Sequence, residues 1–141
     1  MSERILIVDD DTDALEVFKT RLAHGGFEVE TAESAEEALA RVASFAPRLV
    51  VTDIRMSGMS GLELLERLRE GMEGLDVVVM TGHEDMDTAV TAMKSGAFDF
   101  LVKPVDPKQL QSLAERCFRE QSLIEDEEAS RDGEVVEPLP G

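Results

Sequence analysis

Tryptophan and tyrosine are absent from the 141 residues, and Cys117 is the one cysteine. With no second thiol there is no internal disulfide, which excludes a disulfide-stapled scaffold and fits a reducing cytoplasm. Basic residues are scarce as well: 14 Lys and Arg stand against 31 Asp and Glu, for a formal net charge of −17. A surface of that sign repels phosphate backbones and anionic lipid, so direct binding of nucleic acid or membrane is not expected. Protein partners and cations are favoured instead. No apolar run approaches the ~18 residues of a bilayer span. The start, Met1-Ser2-Glu3-Arg4-Ile5, enters a short apolar stretch ending in three aspartates and lacks the basic-then-apolar layout of a signal peptide. The length suits one domain with one core.

What the chain does have is a recurring pair of patterns. Ile5-Leu6-Ile7-Val8, Leu49-Val50-Val51, Val77-Val78-Val79-Met80 and Phe98 to Val102 are strand-length apolar runs. Continuous β-branched runs suit strands buried on both faces of a parallel sheet. Phe27-Glu28-Val29-Glu30-Thr31 alternates and reads as an edge strand with one wet side. Between them, Leu15/Phe18/Leu22, Ala35/Leu39/Val42, Leu62/Leu65/Leu68, Ala89/Val90/Met93 and Leu110/Leu113/Cys117 form helical stripes. Gly25-Gly26, Ser34 with Glu37, Ser60 and Gly96 supply the matching start and stop signals. Five βα units are too few for an eight-stranded barrel. They predict an open, doubly wound α/β fold: a five-stranded parallel sheet of flavodoxin-like order 2-1-3-4-5. Residues 1–124 form the expected domain. From Glu125 to Gly141, seven acidic residues face one arginine, with Gly133, Pro138 and Pro140, which reads as a disordered acidic tail or linker.

In such sheets ligands bind beyond the carboxyl ends of the strands. Here those ends carry polar residues: Asp9-Asp10-Asp11, Thr52-Asp53, Thr81-Gly82 and Lys103-Pro104. Three carboxylates from Asp9, Asp10 and Asp53 would repel one another unless a cation joined them, and an all-oxygen set with few protein ligands suits Mg²⁺. A facing ammonium and hydroxyl are what a transferring phosphoryl group requires. A carboxylate can be the nucleophile, forming an acyl phosphate, and Asp53 is central on that edge.

Ile5 to Asp10, Asp53 followed by Met56 and Gly61, Met80-Thr81-Gly82, and Gly96 to Pro104 resemble the receiver domain of two-component response regulators. The likeness runs from about residue 4 to 121 and is nearest to the receivers of enhancer-binding transcription activators. The resemblance implies that Asp53 is phosphorylated by a sensor histidine kinase. Asp9, Asp10, Asp53 and the backbone carbonyl of Arg55 would hold Mg²⁺, and Thr81 and Lys103 would contact the phosphoryl oxygens. Thr81 and Phe100 would form the switch pair, and the Lys103-Pro104 bond would be cis. The surface of the fourth helix, fifth strand and fifth helix would carry the output to an effector domain or target protein, with a phosphorylation-dependent homodimer expected. Ser57 stands where many receivers have Pro. Arg55 and His83 occupy positions that tune acyl-phosphate lifetime in the family.

Several residues have plainer readings. Asp11 is expected to cap the first helix. His24 and His83 lack a second ligand at metal spacing and read as surface residues. The methionines at 56, 59, 72, 80, 86 and 93 read as packing and loop residues, and Cys117 as inert core. The competing function is an aspartyl-phosphate phosphatase, with Asp9 as nucleophile and Asp11 as second acid, but no cap domain or substrate-binding insertion is present. A flavin or nucleotide binder would need a glycine-rich loop after the first strand, which is missing. A stand-alone receiver acting by protein binding is the remaining alternative.

Overall fold

The computed structural model describes residues 3–134. Five strands and five helices alternate: β1 (Arg4–Val8), α1 (Thr12–His24), β2 (Glu28–Ala32), α2 (Ala35–Phe45), β3 (Leu49–Asp53), α3 (Gly61–Gly71), β4 (Asp76–Thr81), α4 (Met86–Lys94), β5 (Asp99–Val102) and α5 (Pro107–Glu134). A 3₁₀ turn, His83–Asp85, leads into α4. The sheet is parallel throughout, in the order β2-β1-β3-β4-β5. This is the α/β architecture that the alternating periodicities predict.

The apolar runs bury both faces because each face has its own helices. Ile5, Ile7, Val51, Val78 and Met80 pack with Leu15, Phe18 and Leu22 of α1 and with Leu110, Leu113 and Cys117 of α5. Leu6, Val8, Val50, Val77 and Val79 pack instead with Ala38 and Val42 of α2, Leu64, Leu65 and Leu68 of α3, and Ala92 of α4. The local start signals also work as expected. Asp11 accepts from the amides of Asp13 and Ala14, Ser34 from that of Glu37, and Ser60 from that of Glu63.

Two expectations differ from the structure. The apolar run Phe98 to Val102 predicts a strand buried on both faces, yet only Leu101 of the four residues of β5 is buried. It is the last strand, paired only with β4, so its outer edge has no neighbouring strand and Asp99, Phe100 and Val102 stay partly accessible. The acidic segment from Glu125, read as a disordered tail or linker, continues α5 as far as Glu134, so disorder does not describe its first part. Glu125 to Ala129 contains good helix formers and no Gly or Pro, and Arg48 holds Glu125 at 2.5 Å. The remainder of that expected tail, 135–141, lies outside the described residues. Among the described residues no helix is long and apolar enough to cross a membrane.

Candidate functional site

Parallel pairing brings the carboxyl ends of β1, β3, β4 and β5 to one edge, and the strand-end side chains follow. Asp9 leaves β1 with its amide on the carbonyl of Ala32, while its Oδ1 accepts from the amide of Asp11. Asp53 ends β3. Asp9 is 2% exposed and Asp53 6%, whereas Asp10 is open to solvent. Each of the three offers an oxygen within 4.8 Å of the others.

Lys103, just beyond β5, closes the group. Its Nζ lies 2.7 Å from Asp53 Oδ2 and 3.9 Å from Asp9 Oδ2. The Lys103-Pro104 peptide bond is cis. Burial pushes the Asp9 carboxyl above its ordinary value, only partly countered by the Asp11 amide and the charge of Lys103. Lys103 responds the other way. Burial alone would favour its neutral amine, but the hydrogen bond to Asp53 and the charges of Asp53, Asp9 and Asp10 outweigh that cost and raise it. The cluster therefore has too few positive charges for its carboxylates, and its oxygens converge without a second cation among the described side chains. Hard oxygen donors in that geometry fit Mg²⁺.

A cleft of about 560 Å³ opens above this edge, bordered by Asp9, Asp53, Arg55, Gly82, Asp85 and Lys103. Thr81, 1% exposed, ends β4 with its hydroxyl donating to the carbonyl oxygens of Gly82 (3.2 Å) and Asp85 (3.3 Å). The Arg55 amide reaches Asp53 Oδ1 at 3.4 Å, but its guanidinium turns to Asp85. Phe100 is half-buried and packs against the cluster beneath α2, α3 and α4, away from the carboxylates. Asp9, Asp10, Asp53 and Lys103 are thus brought together, and Thr81 and Arg55 border them with their polar groups engaged elsewhere.

Sequence reasoning took Gly61 only as a family marker, without its contact, and missed Asp85. Gly61 lies so close to β3 that a Cβ there would meet the Asp53 carbonyl oxygen. Asp85 takes Arg55 in a two-pronged ion pair, with Nε–Oδ2 at 2.5 Å and Nη2–Oδ1 at 2.6 Å. The position of Asp85 ahead of α4 was the available signal, but it suggests a helix cap and not a partner 30 residues upstream.

A profile of the family described as Response regulator receiver domain matches residues 5–115. The chain belongs to that family. It is 39% identical to the DNA-binding transcriptional regulator NtrC of Salmonella typhimurium over 95% of its own length and 28% of that protein's. It is 37% identical to the regulatory protein AtoC of Escherichia coli, covering 85% of this chain and 26% of that one. Among solved structures, NtrX from Brucella abortus superposes with a TM-score of 0.86 at 37% identity, over 93% of this chain and 30% of that one. A receiver domain protein from Clostridium thermocellum superposes at 0.82 with 33% identity, over 86% and 98% of the two chains. The chain therefore spans little more than a quarter of the length of these two curated regulators.

Proposed function

We propose that the chain is a phosphoacceptor switch of a two-component system. In this reading a histidine kinase delivers a phosphoryl group from its phosphohistidine to Asp53. A carboxylate oxygen of Asp53 attacks phosphorus in line, the P–N bond breaks toward the donor imidazole, and an acyl phosphate forms. Asp9, Asp10, Asp53 and the carbonyl of Arg55 are the residues to hold Mg²⁺, which when bound shields phosphoryl charge. Lys103 pairs with one phosphoryl oxygen. Thr81 gives up its two carbonyl partners and donates to another.

The carrying observation is the buried Asp53 carboxylate, held 2.7 Å from Lys103 within a three-carboxylate cluster. Phosphorylation adds about −1.5 to −2 of charge and three acceptors, which reward movement of Thr81 and Lys103 inward. Phe100 would follow Thr81, and the face of α4, β5 and α5 would repack to control an effector, transcriptional by analogy with the NtrC-like relatives, and to favour a homodimer. Residues 1–124 would be the receiver and 125–141 a linker whose first part is helical. A cytoplasmic location and the lack of direct nucleic-acid binding belong to the same reading. The phosphatase alternative is disfavoured because Asp11, its second acid, is engaged in capping α1.

Incubation with Mg²⁺ and acetyl phosphate, followed by mass-spectrometric mapping, should place one phosphoryl group on Asp53. Asp53→Asn should abolish it. Modification at Asp9, or none at all, would defeat this reading.

A further inference from the structure

The connection from β3 to α3, residues 54–60, carries the Arg55 carbonyl, and little in its own sequence stiffens it. It holds no proline, and Gly58 adopts the left-handed region at φ 80°. Its ends are fixed: the Ile54 amide donates to the Met80 carbonyl, the Gly61 amide returns to the Ile54 carbonyl at 2.8 Å, and Ser60 caps α3. Met56 and Met59 lean on the core, a contact without direction. Asp85 holds Arg55 only by its guanidinium, at the end of a long side chain that leaves the backbone free to turn. Across 56–59, among the described residues, a single amide meets an acceptor: that of Met59 donates to Glu36 Oε2 at 3.3 Å. Glu36 belongs to another element, the first turn of α2. A Cβ on Gly58 would lie 3.0 Å from the same oxygen, so the carboxylate sits directly over the turn. α2 does not need Glu36 for its start, because Ser34 accepts from the Glu37 amide and Glu37 Oε2 accepts from the Glu33 amide.

We propose that Glu36 is a positioning residue for the cation site, holding the Met59 amide so that the loop presents the Arg55 carbonyl to the carboxylate cluster. This rests on the reading of that carbonyl as a Mg²⁺ ligand. A backbone carbonyl has no rotamers of its own; its direction is set by the φ and ψ of the chain around it. A cation binds only the fraction of loop conformations that face the cluster, and its apparent affinity falls with that fraction. An anchor from α2 divides the loop into two shorter segments and removes conformations that metal binding would otherwise have to remove. Two plainer roles make a different demand. A first-turn carboxylate favours α2 through the helix dipole, and any carboxylate near the edge attracts cations at a distance. Both of those need the charge, whereas the anchor needs only an acceptor oxygen.

Glu36→Gln keeps an oxygen at the same reach and loses the charge, while Glu36→Ala loses both. Glu36 is exposed and both replacements are good helix formers, so neither change opens the core. The test is an NMR titration of backbone amides with Mg²⁺ alone, with amide order parameters at Gly58 and Met59 measured before the metal is added. Glu36→Ala should bind Mg²⁺ about fivefold more weakly than the unaltered chain, the weight of one ordinary hydrogen bond, and should lower both order parameters. Glu36→Gln should match the unaltered chain in affinity and in loop order. Equal weakening by Gln and Ala assigns the effect to charge and overturns the proposal. A loosened loop in Glu36→Ala with unchanged affinity overturns it too. If Mg²⁺ shifts no amides around Asp9, Asp10 and Asp53 in the unaltered chain, the cation reading falls, and this proposal with it. Binding at that cluster that is indifferent to Glu36 removes the proposal alone.

Discussion

Gly61 shows how a residue without functional groups can govern one that has them. A Cβ built there would lie 2.0 Å from the Asp53 carbonyl oxygen and 2.9 Å from Ile54 Cα, both backbone atoms of the segment that presents the acceptor. Nothing flexible can yield, so Gly61→Ala should destabilise the fold by about 3 kcal/mol, the upper end for overpacking, as measured by urea denaturation. Gly82 is the contrast: its added Cβ would meet only the carboxylate end of the Glu84 side chain, which can swing aside, so Gly82→Ala should be close to neutral. Asp9 gives a pH-dependent outcome. Its carboxyl is raised by burial in the folded chain, so its contribution to stability is fully present below the unfolded value and lost as pH rises through the folded one. Without metal, Asp9→Asn should therefore be more stable than the unaltered chain at neutral pH. The difference should close in acid, below the ordinary carboxylate range. Urea titrations in a chelator at both conditions check the sign, and a wider gap in acid would contradict it.

At the scale of elements, α5 is fastened at the far end of the sheet by Gln121. Its Nε2 donates to the Arg48 carbonyl at 2.9 Å and to Asp76 Oδ2 at 2.8 Å, linking the helix to the strand starts of β3 and β4. Gln121→Ala would strip a partner from the Asp76 carboxylate and leave a cavity, at a cost of about 2 kcal/mol in urea denaturation. Gln121 lies beyond the Leu110/Leu113/Cys117 stripe as a polar residue in a buried place, so periodicity alone did not reveal it. The strands and helices themselves were legible because each apolar run or stripe matches one period, and each cap residue adjoins its helix. The exposure of β5 was not, since a run of apolar residues does not say whether a neighbouring strand covers both edges. The helical course of 125–134 was hidden for a related reason: acidic composition lowered the apparent order, while helix propensity and the Arg48 contact act without any apolar stripe. The site divides in the same way. Asp9, Asp53, Thr81 and Lys103 could be read because topology gathers strand ends, but the pairing of Arg55 with Asp85 joins two loops whose relative position only the fold supplies.

For the molecule as a whole, the net charge of −17 and the carboxylate cluster act on the same ions with different specificity. Self-repulsion among surface acids opposes the compact state, and any salt relieves it by screening. Three oxygens within 4.8 Å, two of them on buried residues, ask for more than screening, because a diffuse counterion does not replace lost hydration. A divalent cation that binds the folded chain and not the unfolded one adds stability as RT ln(1 + [L]/Kd), about 2.7 kcal/mol at a hundredfold excess over Kd. Sodium chloride should thus raise Tm gradually. Magnesium chloride at matched ionic strength should raise it further and saturate at millimolar concentration. The surplus should disappear in Asp9→Asn/Asp10→Asn, which removes two of the three donors while lowering the overall charge only slightly. Equal Tm gains from the two salts, or a magnesium surplus that survives the double substitution, would mean that the ion responds to the molecule's general field and not to this cluster.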